Sequence, residues 1–168
     1  MSDLYVVYGS ETQLLAGLFE DPDAYFIRIF NRAVPETMGN ATDINSIDEL
    51  ADTVSACIES QKPDRILFVG AAFLTQMKLF AMEKTEDLQK SIEVNIINYV
   101  KICHTLLPFM MKLRSGHFVY LSSFRSEVGA RGISMYSSSK AVGEKFFEIL
   151  RMENGAFGIY STVIRMGY

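Results

Sequence analysis

Five short runs rich in Val, Ile, Phe and Tyr recur along the chain with longer helical stretches between them, and this alternation is the tightest constraint on its fold. The runs are LYVVYG (4–9), YFIRIF (25–30), RILFVGA (65–71), HFVYLSS (117–123) and YSTVIRM (160–166). Each is short enough for a strand and apolar enough to be buried on both faces, as in a parallel sheet. Between them, TQLLAGLFE and SIDELADTVSACIES read as helices. In the second, Ser46 and Glu49 form an S-x-x-E capping box, and Ile47, Leu50, Ala51, Val54 and Ile58 share a face. The longest helix is expected from about Thr85 to Leu107, stopped by Pro108, with Leu88, Ile92, Tyr99, Ile102 and Leu106 along one stripe. Strand and helix in this alternation predict an α/β fold, a doubly wound parallel sheet flanked by helices.

Composition narrows the classes of partner. A chain of 168 residues with 49% hydrophobic content is sized for one domain, residues 1–168, and neither a repeat nor a composition shift divides it. The net charge of -4, without a basic stripe, excludes a nucleic-acid backbone as partner. Cys57 and Cys103 stand far apart with no C-x-x-C pair, so reduced core thiols are expected and neither a metal site nor a disulfide. The N-terminus MSDLYVVYG carries an acid where a signal peptide is basic, and ILFVGAAFLTQM is too short to span a bilayer. A cytoplasmic protein without a membrane segment is the expectation.

Three groups of polar residues stand out against this apolar frame. Tyr136 and Lys140 in SMYSSSKAVGEKFF are one helical turn apart, so the ammonium can sit beside the phenol. A free phenol titrates near ~10, and a neighbouring cation favours the phenolate, making tyrosine usable as a general acid or base near neutral pH. Ser122 and Ser123 end an apolar strand, where an open parallel sheet presents its carboxyl edge to ligands. Their alternative role is turn chemistry or a cap on the next element. Asn95 falls on the buried stripe of the long helix, where an amide without partners costs roughly 1–3 kcal/mol. It either ties down a neighbouring loop or takes part in chemistry. His104 and His117 read as packing or surface residues.

The combination of VYLSS, YSSSK thirteen residues after Ser123, and SIEVNIINYV resembles the short-chain dehydrogenase/reductase family. ILFVGAA sits where that family has a strand ending in N-N-A-G, TDI where an Asp follows the third strand, and VIRMGY where the sixth strand runs into Pro-Gly. The resemblance implies a Rossmann-like fold and a nicotinamide cofactor, NADP or NAD, with NADP favoured by Arg32 after the second strand. It further implies that Tyr136 exchanges a proton with a small-molecule carbonyl or alcohol substrate and that Ser123 holds the substrate oxygen. Lys140 would bind the nicotinamide ribose and lower the Tyr136 pKa, and Asn95 would hold a water in a proton relay. By position in the motifs, Gly9, Ser10, Arg32, Asp43, Ile44, Gly70 and Ala71 would line the nucleotide together with Tyr136 and Lys140. A homo-oligomer through the helices at 85–107 and 135–153 is also implied, and the serines between Tyr136 and Lys140, with Gly143 beyond, leave a thin helix surface able to admit a cofactor or a partner helix.

The sequence departs from the family pattern at several positions. The family's T-G-x-x-x-G-x-G turn reads YGSETQLL here, with Gln13 and Leu15 at two glycine positions and Glu11 adding a negative charge. Val69 and Gly70 replace the two asparagines, Met166 replaces the proline, and AVPETMGN is barely long enough for a crossover with its own helix. The chain also stops at Tyr168, short of the family's substrate-covering helices. The leading expectation is an NAD(P)(H)-dependent oxidoreductase interconverting a carbonyl and an alcohol. A non-catalytic interaction or regulatory protein that has lost firm cofactor binding is the alternative, and a piece of a longer enzyme is a third.

Overall fold

The computed structural model describes residues 2–9, 24–29, 40–70 and 77–167. Its centre is one parallel sheet, to which the described residues contribute six strands: β1 (Asp3–Tyr8), β2 (Tyr25–Ile29), β3 (Ala41–Ile44), β4 (Arg65–Gly70), β5 (Gly116–Ser123) and β6 (Ile159–Met166). They lie in the order β3-β2-β1-β4-β5-β6, so the direction of winding reverses between β1 and β4. This is the doubly wound α/β sheet that the alternation of runs predicts. In such sheets the usual ligand position is at the carboxyl ends of the strands where the winding reverses, here β1 and β4.

Apolar residues fill both faces, as parallel sheets require. On one face Leu4, Val6, Tyr8, Ile27, Ile29, Phe68, Phe118 and Tyr120 form a single buried cluster with helix residues Val54, Ile102, Leu106 and Phe147. Tyr5, Val7, Phe26, Val69 and Leu121 form a second cluster on the other. Cys57 and Cys103 are both buried and unbonded to each other, and burial raises both thiols, Cys57 to about 11.

The helices are α1 (Leu50–Gln61), α2 (Thr85–Ile92), α3 (Asn98–Leu113) and α4 (Ser134–Asn154). Ser46 does cap the chain entering α1, but its hydroxyl accepts from the Asp48 amide and the first turn, Ile47–Glu49, is 3-10. The buried face of α1 is Leu50, Val54 and Cys57, while Ala51 is exposed.

The expected long helix is broken in pitch rather than ended by proline. A π turn, Glu93–Ile97, joins α2 to α3, and the Asn98 amide bonds to the Glu93 carbonyl five residues back. Asn95, Tyr99, Ile102 and Leu106 are buried along the expected stripe, but before the π turn the buried position is Ser91, and Ile92 is turned out to 38% exposure. Pro108 stays inside α3, which runs on to Leu113. Proline removes one helical hydrogen bond, but Pro108 and His104 lie on the exposed side where water can serve the orphaned carbonyl. Met110 and Leu113 continue the apolar stripe and hold the helix beyond it.

The third strand, ATDI, is an addition to the five runs. Asp43 stands inside this strand rather than after it, opposite Arg28 in the β2 register. The helix TQLLAGLFE, the turn from Ser10 to Leu15, Arg32, Ala71 and all of AVPETMGN except Asn40 lie outside the described residues.

Candidate active site

The polar residues singled out for chemistry come from three elements: the π turn (Asn95), β5 (Ser122 and Ser123) and α4 (Tyr136 and Lys140). Tyr136 and Lys140 are both on α4, in its first turns, and Lys140 Nζ lies 5.7 Å from the centroid of the Tyr136 ring. Tyr136 is half-buried while Lys140 is 2% exposed, so the ammonium sits in the protein and the phenol reaches toward the surface. Lys140 Nζ donates to the Leu121 carbonyl on β5 and lies 5.0 Å from the centroid of the Tyr120 ring. A buried ammonium is tolerable only with such partners.

Asn95 reaches the same helix from the π turn. Its Nδ2 donates to Ser139 Oγ at 3.3 Å, and Ser139 Oγ donates to the Tyr136 carbonyl at 2.8 Å. Irregular helical pitch of this kind is often found at functional sites. Asn95 within it is buried, 1% exposed, and bonded to α4. The π turn is also tied to β1: Tyr8 Oη donates to the Val94 carbonyl at 2.9 Å and accepts from Asn98 Nδ2 at 3.0 Å. Burial, partly countered by the Asn98 bond and reinforced by Glu93, pushes the Tyr8 phenol up to about 12.

The two serines at the end of β5 divide their work. Ser123 Oγ accepts from the Arg125 amide at 3.2 Å, capping the 3-10 turn Phe124–Ser126. Ser122 Oγ donates to Glu144 on α4 at 2.5 Å. Ser126 and Arg165 also bond Glu144, at 2.6 Å and 2.7 Å. Burial alone would raise the Glu144 carboxyl, but these bonds and the Arg165 charge outweigh it and hold the group down at about 2.

The described positions expected to hold a nucleotide lie along the same sheet edge. Gly9 follows β1 with φ of 106°, a conformation that side chains other than glycine rarely adopt. Gly70 ends β4, and its missing Cβ makes room for the Tyr99 ring. Asp43 is bound bidentately by Arg28, at 2.6 Å and 2.7 Å, and Ile44 ends β3 and is buried. Ser10, Arg32 and Ala71 fall outside the described residues. The space at Gly143 is filled from within by Tyr120, whose ring a Cβ there would strike, and so is not a surface for a cofactor or partner helix.

Three residues that hold this arrangement together lie inside the quoted stretches without standing out in them: Ser139, Tyr120 and Glu144. The available signals were a serine between Tyr136 and Lys140, a tyrosine in the middle of a buried strand, and an acid beside the apolar side of α4. Among the described residues no group of three or more His, Cys, Asp or Glu could hold a metal ion.

A family model described as short chain dehydrogenase matches residues 5–168. Oxidoreductase BOA17 of Botryotinia fuckeliana (strain B05.10) is 33% identical over 82 residues, 49% of this chain and 30% of its own length. Dehydrogenase/reductase SDR family member 7B of Mus musculus is 36% identical over 80 residues, 48% of this chain and 25% of its own. The matched stretch thus spans less than a third of either relative. Among solved structures, a short-chain dehydrogenase from Streptomyces avermitilis superposes with a TM-score of 0.81 at 22% identity, over 98% of this chain and 65% of that one. ElxO with NADP bound gives a TM-score of 0.82 at 18% identity, over 99% and 74%. These two likenesses concern the fold. Carrying the family pattern across almost its whole length on a sheet that matches solved members, the chain belongs to the short-chain dehydrogenase family.

Proposed function

We propose that this chain is the single-domain core, residues 1–168, of an NADP(H)- or NAD(H)-dependent oxidoreductase that interconverts a small-molecule carbonyl and an alcohol. The observation that carries the reading is the buried Lys140 ammonium 5.7 Å from the Tyr136 ring, on the helix that Ser139 joins to Asn95. A cation in that place favours the phenolate, and tyrosine then exchanges protons near neutral pH. Tyr136 Oη would give its proton to a carbonyl oxygen that becomes a hydroxyl, or take it back in the reverse direction. Ser123 would hold that oxygen and Asn95 a water leading to Lys140.

A dinucleotide would lie at the reversal between β1 and β4, a reading supported by Gly9, whose positive φ lets backbone approach a ligand. Gly9, Ser10, Asp43, Ile44, Gly70 and Ala71 would hold it, Lys140 and Tyr136 would contact its ribose, and Arg32 would favour the 2′-phosphate of NADP. When bound, the nicotinamide supplies or accepts the hydride. Exposed Ile97, Val100, Val142 and Ile149 on α3, α4 and the π turn support a second copy packing on these helices. A cytoplasmic setting is part of this reading; no helix among the described residues is long and apolar enough to cross a membrane.

A second reading, a non-catalytic interaction or regulatory relative, draws on Gln13 and Leu15 at glycine positions of the phosphate-binding turn. Calorimetric titration of the purified protein with NADPH and NADH separates the two. Saturable micromolar binding supports the oxidoreductase, with tighter NADPH binding supporting Arg32 as selector. No binding of either nucleotide up to millimolar concentration would exclude it in favour of the interaction protein.

A further inference from the structure

The Lys140 ammonium is held by more than its spacing from Tyr136. It lies closer to the Tyr120 ring, at 5.0 Å, than to the Tyr136 ring, at 5.7 Å, and it donates to the carbonyl of the next residue, Leu121. A cation within about 6 Å of an aromatic centroid is attracted to the ring's negative face, most strongly where water is excluded. Both groups meet that condition, at 2% exposure for Lys140 and 0% for Tyr120.

The Tyr120 ring is itself fixed on three sides. It stacks on Phe147 at 4.9 Å with planes 21° apart, and meets Tyr99 edge-on at 5.3 Å and 86°. Its tip occupies the space left by Gly143, where any Cβ would collide with Cζ and Oη. The Tyr120 hydroxyl is buried without a hydrogen-bond partner among the described residues. The phenol group therefore contributes its ring face, and the hydroxyl is incidental.

Resting on the oxidoreductase reading above, we infer that Tyr120 is a positioning residue: seated by Gly143, its ring face holds the Lys140 ammonium at Tyr136 before any nucleotide arrives. Among the described residues, the titratable groups around this centre are Tyr99 and Cys103 from α3, Tyr120 from β5, and Tyr136, Lys140 and Glu144 from α4, with Tyr8 from β1 against the far edge of Tyr99. Lys140 is the cation among them. Glu144 is occupied by Arg165, Ser122 and Ser126.

The test is the ionisation of Tyr136 in nucleotide-free protein, followed by NMR of Cζ-labelled tyrosine and assigned by loss of the signal in Tyr136→Phe. Tyr120→Phe keeps the ring face and should leave the Tyr136 midpoint in place. Tyr120→Leu should raise it, lowering the phenolate fraction at a given pH roughly threefold to tenfold. The double variant Tyr120→Leu/Gly143→Ala refills the vacated space, so it reports the same shift if the single variant does not fold. With a turned-over carbonyl substrate, the pH profile of kcat should move with the midpoint while KM changes little. A folded Leu variant that titrates Tyr136 like the wild type would overturn the inference, as would a Tyr120→Phe shift as large as that of Tyr120→Leu. If the wild type reduces no carbonyl with either nucleotide, the oxidoreductase reading fails while the titration still decides the role of Tyr120.

Discussion

Asn95 and Ser139 meet across 3.3 Å, the carboxamide of one donating to the hydroxyl of the other, and this buried bond joins the π turn to the helix that bears Tyr136 and Lys140. Both residues are 1% exposed. Because Ser139 passes the link on to the Tyr136 carbonyl, the position of Asn95 is fixed relative to the backbone of the proposed acid-base residue.

Ser139→Ala and Asn95→Ala should therefore each destabilise the fold by about 1 kcal/mol, because each removes a buried hydrogen bond between the π turn and α4. Urea unfolding of both single variants and the double variant should give a coupling of about 0.5–1.5 kcal/mol. Strict additivity would show that the two side chains do not share a bond in solution.

Tyr136→Phe removes the proton-exchanging oxygen while keeping the ring. Turnover should fall by roughly two to four orders of magnitude, with nucleotide affinity nearly intact, whereas Lys140→Ala should lower both. Steady-state kinetics alongside calorimetric nucleotide binding makes the distinction, and undiminished turnover in Tyr136→Phe would rule out the proposed role.

The Glu144 network makes stability depend on acid. The folded protein holds this carboxyl at about 2, against 4.5 for an ordinary glutamate, so the folded state favours the ionised form more than the unfolded chain does. The network's contribution is fully present above the unfolded value and disappears as pH falls from about 4.5 toward 2. Glu144→Gln should cost about 1–2 kcal/mol near neutral pH, with the gap to wild type closing through that acid window in urea-unfolding midpoints. A gap that stays constant with pH would show that the carboxylate charge is not what matters.

Arg28 and Asp43 pair across β2 and β3 in an unequal setting: the Arg28 side chain is 10% exposed and that of Asp43 is 57%. Removing the acid alone leaves a buried guanidinium without its counter-charge, so Asp43→Ala should destabilise by about 1–3 kcal/mol. Arg28→Met/Asp43→Ala should recover much of that loss in thermal unfolding. Equal destabilisation by the single and double changes would show that the stranded charge is not the cause.

The sheet was legible because β1, β2, β4 and β5 are largely buried and therefore advertise themselves as apolar runs. The outer strands β3 and β6 differ: in ATDI only Ile44 is buried and Asp43 takes part through its charge, while β6 buries only Ile159 and was readable from its β-branched and aromatic residues. Tyr136 and Lys140 were readable because one helical turn relates them, a local property of sequence. Tyr120, Ser139 and Glu144 were not, because their meaning comes from contacts between elements far apart in sequence, such as Tyr120 against Gly143 and Ser122 against Glu144. Pro108 misled for a related reason. Its local penalty falls on the solvent side, while the buried side of the helix is held by Met110 and Leu113.

The five residues Glu93–Ile97 act on the long helix as a phase shifter on a rotating shaft. Each residue of an α-helix advances the side-chain direction by about 100°, so one surplus residue lets the turns before and after it be indexed independently. The half that carries Tyr99, Ile102 and Leu106 stays keyed to the sheet, while Asn95 is dialled toward α4. Shortening this segment by one residue would return the whole rod to a single phase, and the cost would appear at Asn95 before it appeared in the core.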